Sequence, residues 1–204
     1  GHPRIDTSVR FSMKGKGYYD VFSNYGTLRI TPMSQDVIRV CFAKGQCSVF
    51  PEALSEMKGA GGKYKIRESM SAIEILTDKV LVKVEKKTGA LSFLTPQGKL
   101  LLAERGTEPR QVSPDQVWEF FAWKKEEALL AEGISEERIL QIGSLARYIS
   151  FGEKSGKSPR LASAGKYELV FPPRQKTLCC NIPMYGPYVS QEGTGIIDYY
   201  FVAK

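Results

Sequence analysis

Histidine is where a search for chemistry in this chain begins, and it ends quickly. General acid–base catalysis near neutral pH leans on a group that titrates there, most often an imidazole. The 204 residues hold one, His2, beside the N-terminus. Ser-His-Asp and Cys-His nucleophile systems are therefore excluded, as is histidine-assisted epimerisation of a sugar. Carboxylates come next, and Glu126–Glu127 and Glu136–Glu137 stand in pairs. Neighbouring residues do not face each other on a helix or a strand, so both pairs suit a solvated surface better than an acid/base couple. The four cysteines, Cys41, Cys47, Cys179 and Cys180, lack C-x-x-C spacing, and with a single histidine they make no structural zinc site. Buried, reduced thiols in a cytoplasmic protein are the expectation. A disulfide is the alternative, although adjacent Cys179 and Cys180 point to opposite faces of a strand. "GKGYYD" and "GAGG" are glycine-rich, yet neither joins a strand to a helix as a phosphate loop does. These residues call for no cofactor, no metal and no catalytic group.

A net charge of +7 raises the question of a nucleic-acid partner. Lysine and arginine are scattered through "RFSMKGKG", "GGKYKIRE", "KVEKKTG" and "PPRQK", usually at turns and often next to a carboxylate. No basic stripe or nucleic-acid motif gathers them, so they read as a solvated basic surface and no nucleic acid is expected. No apolar run approaches the roughly 18 residues of a membrane-spanning helix, so no membrane partner is expected. The opening "GHPRIDTSVRF" is neither a signal nor a transit peptide, but it starts without Met and so says little about location.

The elements that would have to position any site are short and extended. "YGTLRITPMSQDVIRVCFAK" reads as two strands turned by "PMSQD", with Leu28 and Ile30 on one face. Gly59, Gly61 and Gly62 mark a loop. Then "SAIEILT", "KVLVKVEK", "GALSFLT" and "KLLLAER" follow one another across tight turns as a β-meander, with Val80, Val82 and Val84 on one face. "GTEPRQVSPD" reads as a polar break and "QVWEFFAW" as an aromatic strand. In "KKEEALLAEGISEERILQIGSL" local propensity favours a helix, with "SEER" resembling a capping box. "ARYISF", "KYELVF", "TLCCNI" and "IIDYYFV" complete about ten strands, joined by Gly/Pro-rich connectors. That spacing implies an all-β antiparallel sandwich with few short helices.

Three stretches, in order, resemble the N-terminal domain of the family 31 glycoside hydrolases, the α-glucosidase and α-xylosidase group. "TLRITPMSQDVIRVCFA" with "VLVKVEKKTGALSFLTPQGKLLLAE" is similar to that family's "rIRi…vIRVrf" pair and "tGxLxfxdxxGkxLLxE" hairpin. "EALLAEG", followed by "ARYISFGEKSGKSPRLASAGKYELVF", occupies the slot of "EALYGLG", a variable loop and "iPFLvSskGYGil". The terminal "GIIDYYFVAK" resembles the "ELDYYFiyG" that closes the domain before the catalytic barrel. Together they span roughly Gly26 to Ala203. The resemblance implies a galactose-mutarotase-like supersandwich over residues 26–204, preceded by an extension or first strand in residues 1–25. It also implies a strand–loop path for "EALLAEG" against its helical propensity.

The departures limit what carries over. Tyr-Gly-Leu-Gly of the family is here Leu129-Leu130-Ala131-Glu132-Gly133 with only the last glycine kept, and "SskGYG" retains only Ser163 and Tyr167. The family's loop ahead of "iPF" reaches over the barrel mouth and touches the sugar. Its slot here is "FGEKSGKS", which lacks the acidic contact motif. Phe151 and Glu153 are the substrate-loop candidates, Glu153 because a carboxylate accepts sugar hydroxyls, against the simpler reading of an exposed turn. Retaining glycosidases set two carboxyl groups roughly 5–5.5 Å apart. In this family both lie on a (β/α)8 barrel that follows the Asp-Tyr-Tyr-Phe strand, and no such barrel is in this sequence. The resemblance thus implies a non-catalytic N-terminal domain whose partners are its own catalytic barrel and, in the whole enzyme, an α-glycoside or oligosaccharide. The alternative is a stand-alone carbohydrate-binding sandwich using Trp118, Trp123, Tyr185 and Tyr188.

Overall fold

The computed structural model describes residues 6–45, 49–59, 61, 63–112, 116–121, 129–131, 148–151, 160–163, 166–172, 176–180, 187–192 and 196–204. The chain opens with a meander of β1 (Phe11–Lys14), β2 (Tyr19–Phe22), β3 (Gly26–Pro32) and β4 (Val37–Lys44). A 3-10 turn, Ser55–Met57, follows. A second meander comprises β5 (Lys65–Glu68), β6 (Ala72–Leu76), β7 (Leu81–Glu85), β8 (Leu91–Leu94) and β9 (Leu100–Ala103). Then come β10 (Arg110–Val112), β11 (Gln116–Phe120), β12 (Leu129–Ala131), β13 (Tyr148–Phe151) and β14 (Arg160–Ser163). The last are β15 (Tyr167–Val170), β16 (Lys176–Cys180), β17 (Pro187–Glu192) and β18 (Ile196–Ala203).

One layer is an eight-stranded sheet in the order β1-β2-β3-β4-β18-β15-β14-β12. The other is made of two five-stranded sheets, β5-β6-β7-β8-β9 and β10-β11-β17-β16-β13. An isolated antiparallel bridge, Glu104 to Phe121, ties these two together where β9 and β11 end. This is the all-β antiparallel sandwich that the strand pattern implied. Among the described residues no helix is long and apolar enough to cross a membrane.

Period-2 alternation decides which side chains fill the space between the layers. Val80, Val82 and Val84 are fully buried, together with Leu28, Ile30, Ile73, Ile75 and Phe93. Phe93 of β8 stacks on Phe201 of β18 at a centroid distance of 4.2 Å, so the two layers meet ring on ring. The tight turns depend on local chemistry. Gly89, in the β7–β8 turn, has φ +75°, and a Cβ there would overlap the Thr7 carbonyl oxygen. That close approach stitches the N-terminal segment to the opposite layer, with Thr7 Oγ1 donating to Thr88 O at 2.6 Å and Val9 N to Lys86 O at 2.8 Å.

Two expectations change, and at Leu129–Ala131 the strand–loop path implied by the resemblance prevails over local propensity. The "polar break" contains β10, which pairs with β11 because Arg110 turns inward to a buried carboxylate instead of staying in water. Leu129–Ala131, where local propensity favours a helix, is a strand paired with β14, so sheet pairing overrides propensity there; the rest of that stretch lies outside the described residues. Two segments read as connectors, Arg160–Ser163 and Pro187–Glu192, are strands held by neighbours on both sides.

Candidate functional site

Of the substrate-loop candidates, Phe151 is the last residue of β13, opposite Thr177 of β16, while Glu153 lies outside the described residues. His2, Cys47, Trp123, Tyr185 and the carboxylate pairs Glu126–Glu127 and Glu136–Glu137 lie outside them as well. Trp118 and Tyr188 occupy neighbouring strands, in register with Ser190 and Phe120. Among the described residues no three His, Cys, Asp or Glu side chains gather as metal ligands would.

What the fold does gather is two buried polar systems, both anchored on β18. The sequence Asp198-Tyr199-Tyr200-Phe201 alternates faces, and both faces are covered, so each residue finds a separate partner. On the outer face of the eight-stranded sheet, Asp20, Arg29, Cys41 and Asp198 line up in register across β2, β3, β4 and β18. Arg29 forks onto Asp20 with bonds of 2.8 and 2.9 Å, its guanidinium 3.7 Å above the Tyr18 ring. One step along, Arg39 forks onto Asp198 at 2.9 and 2.8 Å, and its Nη2 also reaches Pro51 O at 2.6 Å. The Cys41 thiol lies 3.3 Å from Asp198 Oδ1. The segment after β4 roofs this row, and its Leu54 N donates to the Tyr200 hydroxyl at 2.9 Å. Burial, the largest single influence, works against the Arg39 charge, but the Asp198 hydrogen bonds together with the charges of Cys41, Asp198 and Tyr200 outweigh it and hold the guanidinium above its ordinary pKa.

On the inner face Tyr199 points into the seam where the two five-stranded sheets meet. Its hydroxyl donates to Glu119 Oε1 at 2.7 Å. Beside it, Glu104 takes both contacts of Arg110 Nη1, at 2.7 and 2.8 Å, and accepts the Leu91 amide at 2.6 Å. Arg110 Nη2 donates to Gly89 O, and the guanidinium sits 5.0 Å from the Phe42 ring centroid. Glu119 is 0% and Arg110 2% exposed. Glu119 Oε2 and Arg110 Nε have no hydrogen-bond partner among the described residues. Burial, and then the negative charge of Glu104, push Glu119 well above the usual carboxylate range, with Arg110 and Tyr199 pulling only partly back. Burial also raises Tyr199, helped by the two carboxyl groups.

Two carboxyl groups in one place invite comparison with a hydrolytic pair, but both are sealed in the core and no substrate oxygen can reach them. An acid dyad that works on a substrate must touch it. A cleft of about 370 Å³ does open elsewhere, lined by Gln35, Lys63, Tyr64, Lys65 and the β6–β7 turn. Its one carboxylate is Asp78, and Gln35 is already spent on Lys63 O and the Asp78 amide. Neither place supplies two accessible acids. Glu104, Arg110 and Glu119 were not singled out from sequence. The available signal is parity: in "VWEFF" Glu119 shares a face with Val117 and Phe121, both buried.

Neither a protein-family model nor a curated protein matches the sequence. Solved structures do match in fold. A GH31 α-xylosidase from a soil metagenome, complexed with xylose, superposes with a TM-score of 0.75 at 16% identity over 95% of this chain and 32% of its own. A GH31 dextranase from Flavobacterium johnsoniae, complexed with glucose, gives 0.74 at 14% identity over 97% of this chain and 26% of its own. The cycloalternan-forming enzyme from Listeria monocytogenes, in complex with a pentasaccharide substrate, gives 0.69 at 12% identity, covering 96% and 20%. This chain thus spans about a fifth to a third of the chains whose fold it shares.

Proposed function

We propose that this chain is the non-catalytic N-terminal β-sandwich of a family 31 glycoside hydrolase, docking on a catalytic barrel and helping to shape its substrate entrance. The observation that carries the reading is the asymmetric match, 95% of this chain against 32% of the α-xylosidase. At identities of 12–16% the likeness is one of fold. The ordered motifs around Leu28–Phe42, Val80–Glu104 and Asp198–Phe201 add to it. Terminal α-linked glucose or xylose is the substrate class we assign to the whole enzyme, whose two catalytic carboxyl groups the resemblance puts on the barrel and not on this sandwich.

A docking domain should leave apolar surface for its partner. Phe11 and Met13, on the outer face of edge strand β1, are 54% and 56% exposed, and Phe11 stacks on Phe22 of β2. We assign this corner to the contact with the barrel. A cytoplasmic setting, which we also propose, fits the buried, reduced thiol of Cys41.

The test is the reading frame beyond Lys204, followed by assay of aryl α-glucosides and α-xylosides with the 204-residue chain and with the longer protein. The expected result is a downstream barrel with hydrolysis by the longer protein only. A stop codon directly after Lys204 would overturn the reading. In that event, quenching of Trp fluorescence by oligosaccharides would mark a stand-alone carbohydrate-binding module.

A further inference from the structure

The seam cluster carries a consequence that the proposed function does not use. Four titratable groups meet there from four elements: Glu104 after β9, Arg110 on β10, Glu119 on β11 and Tyr199 on β18. One guanidinium faces two carboxyl groups, and it is already committed to Glu104 through Nη1 and to Gly89 O through Nη2. Among the described residues Glu119 Oε1 accepts from the neutral Tyr199 hydroxyl, and no cation is hydrogen-bonded to its Oε2. With both acids ionised, the sealed cluster would hold a net negative charge next to Val117 and Phe121, an arrangement that a buried carboxyl group avoids by keeping its proton. The position matters as much as the charge count, because Glu104 is itself half of the Glu104–Phe121 bridge between the two five-stranded sheets.

We propose that Glu119 keeps its proton beside the Glu104–Arg110 pair, and that this proton is a pH-sensitive clamp on the seam where the two five-stranded sheets meet beneath β18. On alkalinisation the Glu119 carboxyl group gives its proton to solvent and becomes a second carboxylate beside Glu104. The repulsion is relieved by parting β11 from the end of β9. The sign follows from linkage. The folded protein holds this proton more tightly than the unfolded chain does, so the stabilisation is complete below the ordinary glutamate pKa. It is lost as pH rises toward the folded value.

Two measurements on the intact chain test the clamp. The first is infrared spectroscopy of the wild type near neutral pH. It should show the C=O stretch of a protonated carboxylic acid that resists exchange with solvent, and Glu119→Gln should abolish it. The second is amide exchange at Leu91, whose N–H is held by Glu104 Oε1, corrected for intrinsic base catalysis. Between about pH 6 and about pH 9 the wild type should lose protection by about tenfold or more, since each unit of pKa separation is a tenfold change in the closed population. Glu119→Gln, which can still accept from Tyr199, should keep its protection across that range. A wild type with no protonated-acid band, or matching pH profiles for wild type and Glu119→Gln, overturns the proposal. The infrared result stands on the wild type alone, so it decides the matter even if the variant folds poorly. Neither readout depends on glycosidase activity, so failure here is distinguishable from failure of the proposed function.

Discussion

Arg39 and Arg110 are both buried in β-structure and both bonded to carboxylates, but their surroundings differ in charge balance. Arg39 on the outer face meets one anion, Asp198, in a two-bond fork, and a backbone carbonyl takes a further donor. Arg110 in the seam meets Glu104 in full and leaves Glu119 to a tyrosine. A balanced pair is at rest over a wide range of conditions. An unbalanced trio has to borrow a proton. The balanced pair lies under the roof formed after β4, and the unbalanced trio lies where the isolated Glu104–Phe121 bridge ties two sheets, so the two differ in mechanical setting as well.

The comparison can be broken at either end. The largest effect should come from Asp198→Ala, which strands the Arg39 charge where it was fully paired. A loss of about 3–5 kcal/mol in urea unfolding is expected, the usual outcome when one partner of a buried pair is removed. A loss under about 1 kcal/mol would mean that the roof, and not the ion pair, holds β18 to β4. Tyr199→Phe should cost less, about 1–1.5 kcal/mol, because it deletes one hydrogen bond to a carboxyl group and keeps the ring that meets Phe121 edge-on at 5.6 Å. Equal losses for the two variants would erase the distinction between the systems. Smallest is Phe11→Ser with Met13→Ser, expected to change the stability of this chain by no more than about 0.5 kcal/mol each, as exposed positions do. In a longer protein the same changes should loosen domain docking, read as faster proteolysis between domains.

Legibility in the sequence followed the same divide. Val80, Val82 and Val84 announce their strand because the alternation is regular and the partner hairpins are adjacent, so local pattern and tertiary outcome agree. Asp198 could be noticed through Asp-Tyr-Tyr-Phe, although its partner Arg39 lies 159 residues away and only the register of β4 against β18 brings them together. The seam was hidden for a different reason. Arg110 sits among Gly, Thr, Glu, Pro and Gln, a composition that reads as exposed loop, and Glu119 stands between the aromatic residues Trp118 and Phe120 of its strand. Burial of a charge is invisible until its counter-charge is placed, and here the three groups come from separate elements. Leu129–Ala131 shows the converse, a segment whose helical composition yields to pairing with Arg160–Ser163.

The place of β18 in the sheet also sets an order of events during synthesis. It stands fifth in the order, between β4 and β15, so the first four strands and the β15-β14-β12 group share no hydrogen-bonded edge until residues 196–203 slot between them. A ribosome that has made the first 190 residues therefore presents two half-sheets with open edges, each a template for wrong pairing. Closure must wait for contacts of very high sequence separation, the slow class in folding. A trigger-type chaperone that shields those edges should raise the yield of this chain, and a version with β18 moved to the N-terminus by circular permutation should depend on it less.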